Sequence, residues 1–419
     1  MAAPDSPLSD LRINSQRLDN RLRQLAQIGA IDGGGVCRLA LSDEDRDGRN
    51  LVREWMRELG LEISVDRIGN VIGIRPGLEA GPPVMTGSHI DTVATGGRYD
   101  GNLGVLAGLE VIECLNEAGI TTLHPIGVGF FTNEEGARFA PDMMGSGVHQ
   151  GAMDLEEILS VTGIDGTTVG EELSRIGYAG ETEVGSFRAR CFIELHVEQG
   201  PVLERKGLEI GAVTGVQGIS WTEYTLNGVS NHAGTTPMDY RNDPGYVAAR
   251  ISVEARRLTG DIGHGQVATV GQIKLSPNLV NVIPRQAVLT VDLRNMDEQK
   301  LQQAEQQLDE FIDRVADEEG VQVSRRKLAR FEPVHFDEGM IQRVFSTAET
   351  LGLSCQRMPS GAGHDAQMFA PNCPTAMIFV PSKDGISHNV REYTAPEQIA
   401  AGANVLLQVI QQLAQSGDH

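Results

Sequence analysis

No Cys-x-x-Cys pair occurs in this chain, whose five cysteines (Cys37, Cys114, Cys191, Cys355, Cys373) are odd in number and widely scattered. That argues against a disulfide framework and a thiolate zinc site, and leaves small buried hydrophobes in a reducing compartment. Positive charge is also scarce: 57 Asp and Glu face 35 Lys and Arg, a formal net charge of -22. Such a surface repels nucleic acid and anionic membrane, so neither is an expected partner. No uninterrupted apolar run is long enough to span a bilayer, and Met1-Ala2-Ala3-Pro4-Asp5-Ser6-Pro7 lacks the basic start and apolar stretch of a signal peptide; a cytoplasmic protein is expected. There is no Gly-x-Ser-x-Gly elbow, no Walker loop and no Gly-x-Gly-x-x-Gly after a strand, which argues against a serine hydrolase or a nucleotide enzyme. Internal repeats and low-complexity tracts are absent too.

What is present is a chain of 419 residues, too long for one compact core, for which two domains or three are expected. From Ile13 to Leu59 the pattern is helical with one loop around Ile31 to Gly35, and Leu61 to Ile74 predicts two short strands turning at Gly69-Asn70. Strand Val84 to Ser88, helix Asn102 to Ala118, strand Ile126 to Thr132 and strand Cys191 to His196 then predict an α/β sheet with its chemistry at the strand ends. Phe139 to Arg190 is polar and Gly-rich, read as loops and short helices. Near Val216 a second organisation begins. Strand Ile219 to Leu226, helix Pro244 to Leu258, strands Val267 to Leu275 and Ala287 to Leu293, helix Glu298 to Glu318 and strand Val321 to Leu328 give the ferredoxin-like order βαββαβ. Helix Gly339 to Leu351, strand Thr375 to Val380 and helix Pro396 to Leu413 return the chain to the first domain. The expected architecture is therefore a mixed-sheet α/β/α catalytic domain (1–215 and 331–419) interrupted by an inserted domain (216–330).

Four short stretches concentrate ligand-type side chains. Gly87-Ser88-His89-Ile90-Asp91-Thr92 and Gly96-Gly97-Arg98-Tyr99-Asp100-Gly101 place a histidine and two carboxylates within a dozen residues, where an apolar run gives way to glycines and a helical pattern. If the strand continues past Ser88, His89 and Asp91 share a face; Asp91 can then hold one imidazole nitrogen while the other binds a cation that Asp100 could bridge to a second. The competing reading makes Asp91 a turn residue and Asp100 a helix cap. Phe130-Phe131-Thr132-Asn133-Glu134-Glu135-Gly136 offers adjacent carboxylates that point opposite ways in an extended chain, one toward a metal and one toward substrate. Glu194-Leu195-His196-Val197-Glu198-Gln199 ends a strand with a histidine, and Gly385-Ile386-Ser387-His388-Asn389 supplies another. Each cluster alone is most often solvated or structural; together they make a mixed nitrogen and oxygen set suited to zinc, manganese, cobalt or nickel.

The runs GSHIDTV, GGRYDG, FTNEEGARF, ELHVEQGP, NHAGTTPMDYRNDP and GISHNVRE resemble, in this order and over nearly the whole chain, the dinuclear metallohydrolases of the peptidase M20 type, in the branch of N-carbamoyl-L-amino acid hydrolases, beta-ureidopropionases and allantoate amidohydrolases. The resemblance implies two divalent metal ions per subunit, with His89 and His196 on one, Glu135 and His388 on the other, and Asp100 bridging. It implies Glu134 as general base and His232, on a lid domain and commonly that of a partner subunit, as the group that stabilises the oxyanion. Asn281 and Arg294 would grip the substrate carboxylate, and Gln199 and His364 would face the substrate. A homodimer formed through the lid domain is implied as well. The expected reaction is hydrolysis of the carbamoyl carbon–nitrogen bond of an N-carbamoyl-L-amino acid. The rivals are allantoate, N-carbamoyl-beta-alanine, an aminoacylase or peptidase substrate, and a binding protein without catalysis.

Overall fold

The computed structural model describes residues 10–416; the opening residues read above for targeting, and His419, lie outside the described residues. The chain divides into two compact units, Met1–Thr214 with Phe336–His419, and Gly215–His335.

The first unit is built on a mixed sheet whose strands run, side by side, Ile210–Val216, Thr375–Val380, Cys191–Val197, Val84–His89, Ile126–Phe131, Val71–Arg75 and Glu62–Val65, with Cys355–Ser360 paired on Ile210–Val216. Thr375–Val380, Cys191–Val197, Val84–His89 and Ile126–Phe131 are mutually parallel, and the flanking pairs are antiparallel. Every residue of those four strands is buried. Burial of both faces is why they appear in the sequence as continuous apolar runs without alternation. Helix Asn102–Glu117, apolar on nearly all sides, packs on the middle strands and is covered in turn by Pro396–Gln415 and Ser15–Leu25.

Gly104 shows how close that packing is. A Cβ there would lie 2.6 Å from the Leu195 carbonyl oxygen and 2.9 Å from the Ser88 Cβ. Helix propensity favours Ala over Gly by about 1 kcal/mol, but backbone cannot step aside as a side chain can. Gly104→Ala is therefore expected to lower the melting temperature; a rise on thermal denaturation would show that the helix can shift away from the sheet.

The segment read as helical with one loop around Ile31 to Gly35 is two helices, Ser15–Leu25 and Asp43–Glu58, and the loop between them holds a small ladder of Ala30–Ile31 with Gly35–Val36. Gly29, Gly33 and Gly34 there all take positive φ, which ends helical geometry. Strands Ile210–Val216 and Cys355–Ser360 were not foreseen. The first is interrupted by glycine and the second is polar, so neither carries the apolar pattern of the strands it joins.

In the second unit, strands Gly218–Asn227, Val267–Ser276, Gln286–Asn295 and Gln322–Phe331 form an antiparallel sheet in the order Val267–Ser276, Gln286–Asn295, Gly218–Asn227, Gln322–Phe331. Buried and partly exposed residues alternate along Gln286–Asn295, as one covered face requires. That covered face, with Leu226, Leu289, Val291 and Leu293, packs with Val247, Ile251 and Leu258 of helix Pro244–Ile262 and Leu301, Leu308 and Ile312 of helix Glu298–Glu319.

Candidate metal centre

The parallel strands determine where the chemistry collects. His89 is the last residue of Val84–His89, His196 is the penultimate residue of Cys191–Val197, Glu134 and Glu135 follow Ile126–Phe131, and His388 follows Thr375–Val380. All come from the carboxyl ends of neighbouring strands, the edge at which open α/β sheets present their sites.

Asp100 is the point of convergence. Its Oδ1 lies 3.1 Å from His196 Nε2 and 3.7 Å from His89 Nε2, and its Oδ2 lies 3.3 Å from His388 Nε2. Glu135 Oε2 approaches His388 Nε2 at 3.2 Å, and Glu134 Oε2 approaches His89 Nε2 at 3.3 Å. Two ligand sets share Asp100, His89–Asp100–His196 and Asp100–Glu135–His388, each with its donor atoms within 4.8 Å of one another; Glu194, His196 and His364 form a third grouping within the same distance.

The hydrogen bonds behind the ligands tell what this space fits. His89 Nδ1 lies 2.9 Å from the Asp91 carbonyl oxygen and His196 Nδ1 lies 2.8 Å from that of Val197. An imidazole nitrogen facing a carbonyl must be the donor, so in the neutral rings both Nε2 lone pairs point at carboxylate oxygens. The Gly101 amide, donating to His196 Nε2 at 3.2 Å, fits the same tautomer. Acceptors facing acceptors attract only through a shared proton or a cation, so the donor set fits divalent ions. Without a cation, and against their burial, the neighbouring carboxylates raise the proton affinity of both rings. Burial pulls His196 down, but its hydrogen bond to Asp100 and that group's charge lift it to about 9. Hydrogen bonds to Asp100 and Glu135 lift His388 to about 10.

Glu134 is buried; burial first, then the charges of Asp365 and Glu135, push its carboxyl well above the usual range. The Asp91 carboxylate serves differently from the expectation. It stands 4.0 Å from His89 Nδ1 and instead accepts the amides of Glu134 at 3.2 Å and Glu135 at 3.3 Å. The strand stops at His89, so the alternation that would have aimed both side chains together is lost, and Asp91 anchors the two-glutamate turn. Gln199 donates to Asp100 Oδ2 at 2.9 Å, while its own Oε1 is buried without a hydrogen bond. His364 is buried against His196, ring centroids 4.5 Å apart, with Nε2 at 2.9 Å from the Ser360 hydroxyl. Its ring does not cap helix Asp365–Phe369.

His232, Asn281 and Arg294 belong to the second unit. His232 sits in a two-residue strand paired with Val282–Ile283, and its Nδ1 accepts the amides of Gly234 at 3.0 Å and Thr235 at 3.2 Å. The neutral ring therefore carries its proton on Nε2, as a donor. The Asn281 carbonyl accepts the Ala233 amide at 2.9 Å, joining the two residues in one ladder. Arg294 is held by Asp292, two residues earlier on the same strand face, with Nη2 at 2.8 Å from Oδ2, and lies over the Trp221 ring.

The profile of the peptidase family M20/M25/M40 matches residues 85–412. The chain belongs to this family. Among curated relatives, an "N-carbamoyl-L-amino-acid amidohydrolase" of Rhizobium meliloti is 42% identical over 416 residues, covering 99% of each chain. An "Allantoate amidohydrolase" of Bacillus subtilis is 36% identical over 93% of this chain and 95% of its own. Among solved structures, an amidase of the hydantoinase/carbamoylase family from Burkholderia multivorans superposes with a TM-score of 0.96 at 45% identity, covering 98% of this chain and all (100%) of its own.

Several residues of this M20/M25/M40 chain that shape the centre carried no signal that the motif reading used. Glu194, two residues before His196 on the same strand face, accepts the Ser88 hydroxyl at 2.6 Å and the Ala366 amide at 2.8 Å; the period of two could have revealed it. Arg38, fully buried, donates to the Ile90 carbonyl at 2.7 Å and to Asn102 Oδ1 at 2.6 Å, and Asn102 donates to the Asp100 carbonyl at 3.0 Å. Nothing in the sequence around Arg38 marks it. Asp365 is buried, and that burial lifts it to about 8.

Proposed function

We propose that this chain hydrolyses the carbamoyl carbon–nitrogen bond of N-carbamoyl-L-amino acids, giving the amino acid, carbon dioxide and ammonia. The observation that carries the reading is the Asp100 carboxylate standing between two ligand sets, with Glu134 beside His89; the near-full-length likeness to an N-carbamoyl-L-amino-acid amidohydrolase supports the substrate. His89, His196 and Asp100 hold one divalent ion, and Asp100, Glu135 and His388 hold another, of zinc, manganese, cobalt or nickel. Such ions, when bound, supply Lewis acidity and lower the pKa of water toward about 7. Glu134 takes the proton of the attacking water and passes it to the leaving nitrogen. His232 donates its Nε2 proton to the carbonyl oxygen as charge develops there. Arg294 and Asn281 grip the substrate carboxylate, Gln199 and His364 face the substrate, and the second unit acts as a lid and as the surface of a cytoplasmic homodimer. Allantoate is the second reading, favoured by the likeness to an allantoate amidohydrolase.

The test is ammonia release by manganese-loaded protein from N-carbamoyl-L-amino acids, N-carbamoyl-beta-alanine, allantoate, N-acetyl amino acids and dipeptides. Turnover of N-carbamoyl-L-amino acids is expected. Amine release from acetyl or peptide substrates, with no ammonia from any ureido compound, would overturn the carbamoyl reading and keep the metal centre.

Metal loading is expected to depend on pH. A ligating imidazole must be neutral, and His196 and His388 lose their protons only near 9 and 10 in the metal-free chain. Ion uptake at pH 7 should therefore release protons into a weak buffer, and apparent affinity should rise from pH 6 to 8. Affinity flat over that range, with no proton release, would remove these two histidines from the ligand set.

A further inference from the structure

One carboxylate holds both loops that meet at the centre. Glu392, buried in the turn that follows His388, accepts the amides of Tyr99 at 3.0 Å and Asp100 at 3.1 Å through a single oxygen, Oε1. Its other oxygen lies 3.5 Å from the Ser387 hydroxyl, which itself donates to Asp100 Oδ2 at 3.0 Å. The turn is tied back on itself, with the Glu392 amide donating to the Asn389 carbonyl at 2.9 Å. His388 takes a φ of 52°, a left-handed conformation that costs a non-glycine residue free energy and persists only where its surroundings hold it.

A second observation comes from the opposite side. A Cβ at Gly97 would fall 2.3 Å from Glu392 Cδ and 2.3 Å from Oε1, and Gly97 does not take a left-handed φ. Its backbone would accept any side chain. What requires glycine in the first half of Gly96-Gly97-Arg98-Tyr99-Asp100-Gly101 is the room taken by the Glu392 carboxylate.

We propose that Glu392 is a positioning residue for the cation set Asp100–Glu135–His388. It fixes the Asp100 backbone against the His388 turn, so that Asp100 Oδ2 and His388 Nε2 stay on one ion, and Gly97 provides the space in which it does so. The His89–Asp100–His196 set shares Asp100 but draws its other two ligands from strand ends that Glu392 does not touch, so the loss of Glu392 should fall chiefly on the Asp100–Glu135–His388 ion. This inference rests on the two-cation reading above. Hydrogen-bond partners behind metal ligands commonly govern affinity by about 10–100-fold.

The experiment is manganese binding to the full chain, followed by equilibrium dialysis with elemental analysis, alongside a circular-dichroism melt. Wild type is expected to hold two ions. Glu392→Ala should keep the tighter ion and weaken the other by about 10–100-fold. Gly97→Ala, which pushes the carboxylate aside from across the contact, should do the same. Glu392→Gln keeps an Oε1 acceptor for both amides and should bind both ions within a few-fold of wild type. A purely architectural Glu392 would lower the melting temperature of Glu392→Ala and leave both affinities unchanged; that result overturns the proposal. If Glu392→Ala does not fold, the comparison of Gly97→Ala with Glu392→Gln decides, and equal, wild-type affinities in both overturn it. A wild type holding fewer than two ions would overturn the two-cation reading itself, which is a separate and recognisable outcome.

Discussion

Glu134→Gln is expected to lower kcat by about 10³-fold while leaving the bound metal and KM close to wild type. Gln has the same shape and keeps an oxygen for the contact 3.3 Å from His89 Nε2, but it cannot take a proton. Positioned proton transfer commonly contributes about 10²–10⁴-fold, and a factor of 10³ is about 4 kcal/mol of barrier. The turn itself should not move, because Asp91 holds the backbone amides of residues 134 and 135 and not their side chains. Burial, Asp365 and Glu135 raise the proton affinity of this carboxyl in the metal-free chain. Steady-state kinetics with metal analysis checks the result; kcat within threefold of wild type would remove Glu134 from the general-base role.

The largest loss of stability is expected at Arg38. Its guanidinium, fully buried, donates to the carbonyls of Leu25, Ile28 and Ile90 and to Asn102 Oδ1, at 2.6 to 3.0 Å. Burial lowers its pKa to about 10, with the charges of Asp45 and Asp91 acting the other way, so it stays a cation at neutral pH. Arg38→Met fills the volume and leaves three acceptors without donors, the Leu25 carbonyl keeping the Ile28 amide at 3.1 Å. Each unsatisfied buried acceptor costs about 1–3 kcal/mol, and since the three share one site a loss of about 4 kcal/mol is expected by urea denaturation. Arg38→Lys supplies fewer donors without the planar fork and should recover only part of it. A loss below about 1 kcal/mol would mean that water replaces the guanidinium.

The sheet was legible where burial leaves a strong pattern. Val84–His89, Ile126–Phe131, Cys191–Val197 and Thr375–Val380 are apolar on both faces, and helices Asn102–Glu117 and Pro396–Gln415 repeat at helical spacing. Ile210–Val216 and Cys355–Ser360 were illegible because glycine and polar side chains there join a sheet whose neighbours, and not their own composition, fix them. The ligand-type residues were legible as motifs because each ends a strand or opens a turn. Their supports were not. Arg38 reaches Ile90 and Asn102 across 52 and 64 residues of chain, and Glu392 reaches Tyr99 across 293, and no local spacing encodes a contact at that range. Strand alternation carried past Ser88 puts Asp91 beside His89, but the strand ends at His89 and the Asp91 carboxylate accepts from the Glu134 loop instead.

The parallel order of the middle strands also dictates when the centre can exist. Synthesis delivers His89, Asp100, Glu135 and His196 early, then the whole second unit, and only afterwards strand Thr375–Val380 and His388. At about 5–20 residues per second, a nascent chain spends many seconds carrying part of a ligand set with one side missing, because Thr375–Val380 must still slot in beside Cys191–Val197. Under the two-cation reading, the set that includes His388 would be complete only once Thr375–Val380 has docked, so uptake of that ion would report that the distant halves of the first unit have found each other.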